Sequence, residues 1–556
     1  MKHVICLLLL LTWAGPATAL SIVDSKHNLA TSGPGPWKSL AEDKVCVFCH
    51  TPRHRGEAFA GRWNRRESTT TYITYTSPTL QTRPDQPTGS SKLCLSCHDG
   101  TIALGEVLSD RKPIPFPASR QRLASGPAFL GTDLSDDHPI SILYPTSAEL
   151  HPRSTIDLPL DGDGLVQCTT CHDPHDNQWG RFLRKPNTAS ALCTTCHDPA
   201  GWPTSSHAVS NATWDHIPPD PWPNSEETTV AANGCENCHS PHNGESGEFL
   251  LTYGEEDGCL VCHNGHVASG DVAADMAKPY RHPVELTAGV HLPNEDAVPA
   301  SRHVECADCH NPHQGHEATT TAPNAPGALA GVRGVNLEGA LVDEVTYQYE
   351  LCFRCHGDRA TGYAPIPRQV LQTNTRLEFD LNNPSYHPVA GPGVNPDVPS
   401  LLAPWNTGSL LYCTDCHASN DGPGAGGLGA AGPHGSIFPF LLERNYTTLD
   451  GTEESPTEYA LCYKCHSRTS ILNNESFAAH KKHLVDVKTP CSVCHDPHGI
   501  SATQGNAINH SHLINFDLSV VFPEPASNRL EFEDLGRFTG RCTLLCHDRS
   551  HNGEQY

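Results

Sequence analysis

CTTCHDPH, residues Cys168 to His175, is the stretch on which the reading of the chain turns. Two thiols stand three residues apart, an imidazole follows the second, and another imidazole comes three residues later, after Pro174. On a helical turn, side chains at i and i+3 project from one side, and i+4 stays close to it. Cys168, Cys171 and His172 therefore present one three-pronged edge. His175 cannot complete that edge, because so short a segment cannot wrap round a flat group to reach its other face. His172 and His175 are expected to serve different centres.

The edge recurs along the whole chain. Beside Cys168, Cys171 and His172 stand Cys46, Cys49, His50; Cys94, Cys97, His98; Cys193, Cys196, His197; and Cys235, Cys238, His239. Then follow Cys259, Cys262, His263; Cys306, Cys309, His310; Cys352, Cys355, His356; and Cys413, Cys416, His417. Cys462, Cys465, His466 and Cys491, Cys494, His495 make eleven, and CTLLCH (Cys542, Cys546, His547) is a twelfth with one extra residue. The composition predicts about 0.07 chance matches to C-x-x-C-H, the covalent haem attachment pattern. Two thiols add to the vinyl groups on one haem edge while the following imidazole reaches the iron. A disulfide framework, common in exported chains, has no use for a His after every second Cys. Zinc knuckles pair two C-x-x-C units and need no such His. The expectation is twelve covalently bound haem c groups with His50, His98, His172, His197, His239, His263, His310, His356, His417, His466, His495 and His547 as proximal ligands.

Of 35 His, twelve are spoken for, and Met276 is the only Met besides Met1. Met/His ligation is therefore closed to at least eleven sites, and bis-His ligation is expected, which leaves no open position for substrate. Four distal candidates come from C-x-x-C-H-x-P-H: His175, His242, His313 and His498. Others sit in short polar or Pro-flanked stretches: His27, His138, His207, His282, His387, His434 and His483, with His551 near the last motif. A Pro after the ligand discourages helix and suits presentation from extended backbone. His54, His303, His480, His510 and His512 are runners-up.

Composition agrees with a chain that cannot fill its own core. The 556 residues are 37% hydrophobic, with 45 Gly and 47 Pro. Lys and Arg number 37 against 62 Asp and Glu, a net charge of −25. That sign argues against nucleic acid and anionic membrane surfaces. The start, MKHVICLLLLLTWAGPATA, reads as a signal peptide over residues 1–19, cut after Ala19 and removing Cys6. No later segment is apolar enough to span a bilayer, so an exported protein without a transmembrane segment is expected, periplasmic, outer-membrane-associated or extracellular.

First cysteines recur every 24 to 74 residues, with short intervals at 168/193, 235/259 and 462/491. Such repetition suggests an elongated array. The expected architecture is mostly irregular coil with short α-helices and few strands, wrapped on a haem core. Helices are expected over 347–356 and 458–466, and residues 420–435 read as a flexible Gly-rich loop. Weakly bounded segments follow: 20–150 with two motifs, 151–330 with five, and 331–556 with five.

The C-x-x-C-H-x-P-H motifs, the HPV and HPI segments, and CSVCHDPHG (Cys491–Gly499) preceded by His480-Lys481-Lys482-His483 resemble multihaem c-type cytochromes with doubled CXXCH motifs, of the cytochrome c3-like group found in metal-reducing bacteria. The resemblance implies electron transport and not enzymatic catalysis, in anaerobic or extracellular respiration. It implies other redox proteins as partners (cytochromes or an outer-membrane porin-cytochrome conduit) or extracellular acceptors. A protomer of a cytochrome filament, a possible homopolymer, is one alternative. A multihaem reductase with one open haem is the other. CTLLCH departs from the family spacing.

Overall fold

The protein is described from a computed structural model, over residues 22–51, 62–245, 249–284, 304–358 and 366–556. The signal-peptide segment, His54 and His303 lie outside these residues. The chain forms two compact units, one of Met1–Ala200 with Asn224–Gly254, the other of Gly201–Pro223 with Glu255–Tyr556. Among the described residues no helix is long and apolar enough to cross a membrane.

Coil predominates, and the motifs themselves explain why helices stay short. Cys168–Cys171, Cys306–Cys309 and Cys491–Cys494 are single α-turns. Each following His donates its amide to the first Cys carbonyl, at 3.0, 3.0 and 2.9 Å. Each then leaves the helix: ψ is 141° at His172, 135° at His310 and 137° at His495. Pro174, Pro312 and Pro497 stand two residues on and cannot continue a helix, and they push the residue before them into extended backbone. Two longer helices end on motifs, α1 (Gly89–His98) and α2 (Gln348–His356). Glu350 of α2 folds back to accept the amides of Thr346 and Tyr347 at 2.7 and 2.9 Å, which satisfies donors the helix start leaves free. The helix expected over 458–466 is only Ala460–Tyr463. Glu458 is instead held by the side chains of Thr447 and Asn445.

The apolar core is divided among small clusters. Within several motifs one intervening residue is the anchor: Phe48, Leu95, Phe353 and Val493 are all at most 1% exposed. Phe48 packs with Val47, Leu104 and Phe116, and Phe353 with Tyr349, Phe379 and Tyr386. Each such anchor contributes about 1.5–3 kcal/mol of burial. This is enough to seat a turn but too little, over so long a chain, to build a conventional interior.

The Gly-rich stretch is pinned rather than loose. A Cβ on Gly435 would stand 1.9 Å from the Asp275 carbonyl oxygen, and one on Gly427 2.0 Å from that of Asp421. Asp275 and Asp421 both pair with Lys278, at 2.6 Å each.

Strands are mostly two-residue ladders, with one exception at the C-terminus. There β1 (Val521–Phe522), β2 (Glu531–Asp534), β3 (Gly540–Cys546) and β4 (Arg549–Gln555) form an antiparallel sheet. β3 pairs with β1 and β2, and with β4 in a hairpin. CTLLCH, expected to present its cysteines from a helical face, lies on β3. His547 and Asp548 form the connecting turn with φ of 48° and 57°, the two positive values that a tight hairpin requires.

Candidate metal centres

In the first unit, turns and extended segments bring imidazoles together in pairs. Ring centroids are 6.1 Å apart for His27 and His98, 6.1 Å for His50 and His175, 6.2 Å for His138 and His197, and 6.2 Å for His172 and His242. In the second unit the separations are 6.2 Å for His207 and His263, 6.3 Å for His282 and His356, and 6.1 Å for His310 and His434. They are 6.1 Å for His417 and His498, 6.5 Å for His480 and His495, and 6.3 Å for His483 and His551. An iron bonded to two imidazole nitrogens at 2.0–2.1 Å would set the ring centres about 6.3 Å apart. The residues present therefore fit a metal held between each pair. Interplanar angles run from 16° to 84°, so the common quantity is the separation and not ring stacking.

The rings are aimed as ligands are. Nδ1 of His98 meets the Ala128 carbonyl at 2.7 Å, that of His172 the Arg181 carbonyl at 2.9 Å, and that of His207 the Pro312 carbonyl at 3.0 Å. His282 meets Pro433 at 3.0 Å, His417 meets Phe440 at 2.8 Å, His495 meets His512 at 2.9 Å, and His387 meets Pro497. His239, at the fifth motif, meets Phe249 at 2.7 Å. An Nδ1–H given to a carbonyl fixes the tautomer and leaves Nε2 as the ligating atom. Two rings use a buried carboxylate instead: His242 with Asp137 at 2.8 Å and His498 with Glu378 at 3.0 Å.

Burial keeps several of the imidazoles neutral. Burial pushes His417, His434 and His495 down to about 4, helped by neighbouring imidazoles. Burial, then His387 close by, holds His466 at about 4. His498 is the exception. Burial works to lower it, but the Glu378 carboxylate outweighs this and the net shift is upward. A neutral ring is the form that binds metal.

The thiols put the motifs in order. In the first unit Cys49 lies beside Cys97, Cys94 makes hydrogen-bond contact with Cys168, Cys171 lies beside Cys196, and Cys193 contacts Cys235. In the second unit Cys259 contacts Cys306, Cys309 lies beside Cys352, and Cys352 contacts Cys413. Cys416 lies beside Cys465, Cys462 contacts Cys491, and Cys494 lies beside Cys546. Within each unit, spatial neighbours are thus sequence neighbours. No described cysteine is in a disulfide. Burial raises most of these thiols, Cys49 and Cys416 to about 12.

The ring pairs follow an alternating rule. Four even-numbered motifs meet a His upstream: His98 meets His27, His197 meets His138, His263 meets His207, and His356 meets His282. Four odd-numbered motifs meet one far downstream: His50 meets His175, His172 meets His242, His310 meets His434, and His417 meets His498. The eleventh motif breaks the rule, because His495 meets His480, ranked by the sequence only as a runner-up. The signal was there in HKKH: His480 and His483 stand three apart, like the two His of C-x-x-C-H-x-P-H, and face different partners. Of the other expected ligands, His313 packs edge-on against Trp202 at 6.1 Å. His547 lies near His483, and its Nε2 is 2.8 Å from Asp450 Oδ2. Among the remaining runners-up, His510 is buried with Nδ1 accepting from the Asn506 amide, and His512 Nε2 pairs with Asp534.

The family profile for the doubled CXXCH motif matches residues 159–201, 228–268 and 403–470. Each match takes in two attachment motifs. The third joins the motifs at 413 and 462, not the closely spaced 462 and 491. No curated protein matches the chain.

Proposed function

We propose, for a chain that carries the doubled CXXCH motifs of multihaem c-type cytochromes and their covalent haem c sites, that it is a dodecahaem electron carrier with every iron held between two imidazoles. When bound, haem c supplies the one-electron Fe(III)/Fe(II) couple. The chain's own part is to fix the edge of each group through two sulfurs, its iron through two Nε2 atoms, and the succession of sites along the backbone. The observation that carries this reading is the recurrence of one ring separation, 6.1–6.5 Å, at ten imidazole pairs. Sequence-ordered thiol contacts support passage of charge from site to site within each unit. Filling both axial positions favours relay over substrate turnover.

The net charge of −25 favours a basic docking face on the redox partner, with an association rate that falls as salt rises. Use in anaerobic or extracellular respiration is part of the same proposal. The test is a pyridine haemochrome count with low-temperature EPR on the purified protein. Twelve haems, all low-spin, are expected. A colourless protein, or a substantial high-spin fraction, overturns the reading.

A further inference from the structure

We propose that the proline of C-x-x-C-H-x-P-H is a positioning residue whose carbonyl sets the second axial imidazole of a further centre, so that one octapeptide serves three. The inference rests on the proposed bis-His reading and deepens it, by assigning what aims several of the distal rings.

The local turn comes first. In three motifs the residue before the proline is Asp173, Asn311 or Asp496. Its Oδ1 accepts the amide of the closing His, from His175 at 3.0 Å, His313 at 3.0 Å and His498 at 3.3 Å. This is an Asx turn with Pro at its centre. The peptide joining that proline to the closing His is planar and trans. Its N–H is turned in to the Asx side chain, so its C=O points out, to the other side.

Each outward carbonyl meets an imidazole from elsewhere in its unit. His207 Nδ1 donates to Pro312 at 3.0 Å, and His387 Nδ1 donates to Pro497. The Pro174 carbonyl makes hydrogen-bond contact with His27. These rings belong to other motifs: His27 faces His98, His207 faces His263, and His387 lies close to His466. At Cys168–His175 the three centres are all distinct. His172 faces His242, His175 faces His50, and the Pro174 carbonyl holds the ring that faces His98. Cys491–His498 repeats the arrangement. His495 faces His480, His498 faces His417, and the Pro497 carbonyl holds His387 beside His466.

The fourth motif shows what the Asx side chain contributes. Ser240 stands in its place, and the hydroxyl donates to the His242 carbonyl at 2.6 Å. Pro241 still reaches a distal candidate, but it accepts the backbone amide of His138, at 2.9 Å. The His138 ring turns to the carbonyl of its own neighbour Pro139, at 3.1 Å. The aim of the ring thus follows the residue type one position before the proline. An Nδ1–H held by a carbonyl fixes the ring and raises the basicity of the ligating Nε2. The Asx-Pro turn therefore acts on an iron to which its own motif is not bonded.

The test uses the full-length, haem-loaded protein and reads low-spin EPR g-values, which follow the mutual orientation of the two axial rings. Asn311→Ala is expected to keep every haem low-spin and to shift the g-values of the His207 centre. Asn311→Ser should act as Asn311→Ala does. Asn311→Asp, which keeps an acceptor at Oδ1, should restore the unmodified spectrum. His207→Met removes the ring that the Pro312 carbonyl holds. In that background Asn311→Ala should shift one haem's share less of the spectrum than it does alone. An equal shift in both backgrounds, no shift from either Asn311→Ala or Asn311→Ser, or a shift from Asn311→Asp as large as that from Asn311→Ala overturns the assignment. A substantial high-spin fraction in the unmodified protein would instead sink the wider reading.

Discussion

The attachment turn at Cys491–Cys494 and the hairpin at Cys542–Cys546 set two thiols on one side of the backbone by different means. The first uses a helical turn with Val493 fully buried as its anchor and a Pro that swings the imidazole away. The second uses strand alternation, with Leu544 buried between the cysteines. The helical turn is held by its cluster and by the bonds its carbonyls accept from Arg368, Asp517 and Asn515. The hairpin is held by a continuous backbone ladder to β2 and β4. Position relative to the thiols is therefore a property of backbone period.

The sharpest way to break the comparison is to remove both thiols at each place. Cys491→Ala with Cys494→Ala is expected to lose one haem and destabilise the protein by about 3–5 kcal/mol. Cys542→Ala with Cys546→Ala should lose one haem at clearly smaller cost, because the ladder remains. Haemochrome counts and thermal melts of the two double variants decide this, and equal losses would remove the distinction.

Next in size is His498→Ala. It strands the buried carboxylate of Glu378, 8% exposed, and should cost about 2–3 kcal/mol while turning one haem high-spin by EPR. Smaller again is Glu378→Gln, which replaces a buried carboxylate acceptor with a neutral one. The least negative potential in a redox titration should rise or a single wave should move up, by an amount on the order of tens of millivolts. Glu554 Oε2 is 3.0 Å from His551 Nδ1. Glu554→Gln should shift that site less, since the carboxylate is 46% exposed and already screened by water.

The smallest effect concerns pH. Glu524, on the segment joining β1 to β2, is held down to about 2 by the Ser527 hydroxyl and the Ala526 and Ser527 amides. A depressed carboxylate contributes stability that is whole above its unfolded value of about 4.3. That contribution falls away as pH drops through about 2. Melts between those limits should show the unmodified protein losing its margin over Glu524→Gln as the medium becomes more acid.

Much of the site was legible because covalent attachment demands a fixed spacing. The motif cysteines and the stand-off between His172 and His175 could be read from local geometry alone. The pairing of His50 with His175, or of His310 with His434, could not, since it depends on how over a hundred residues return on themselves. His480 was under-ranked because the three-residue spacing of HKKH suits a solvated basic turn as well as two ligands. The helical reading of CTLLCH failed for another reason. Thiols at i and i+4 share a face in either backbone state, so the spacing did not choose, and the choice was made by partner strands β1, β2 and β4. The Gly-rich stretch looked loose because small residues suggest freedom. Here they allow close approach instead, at Gly427 and Gly435.

The alternation of upstream and downstream partners also imposes a calendar on assembly. A chain emerging from its N-terminus presents His27 before His98, and His138 before His197, so these centres can close as soon as their own turn appears. His50 must wait for His175, and His417 for His498. On the proposed ligation, the centres of His50, His172, His310 and His417 pass through a half-finished interval during biogenesis, and a truncated product would be recognisable by whichever of these lies unfinished just behind the break.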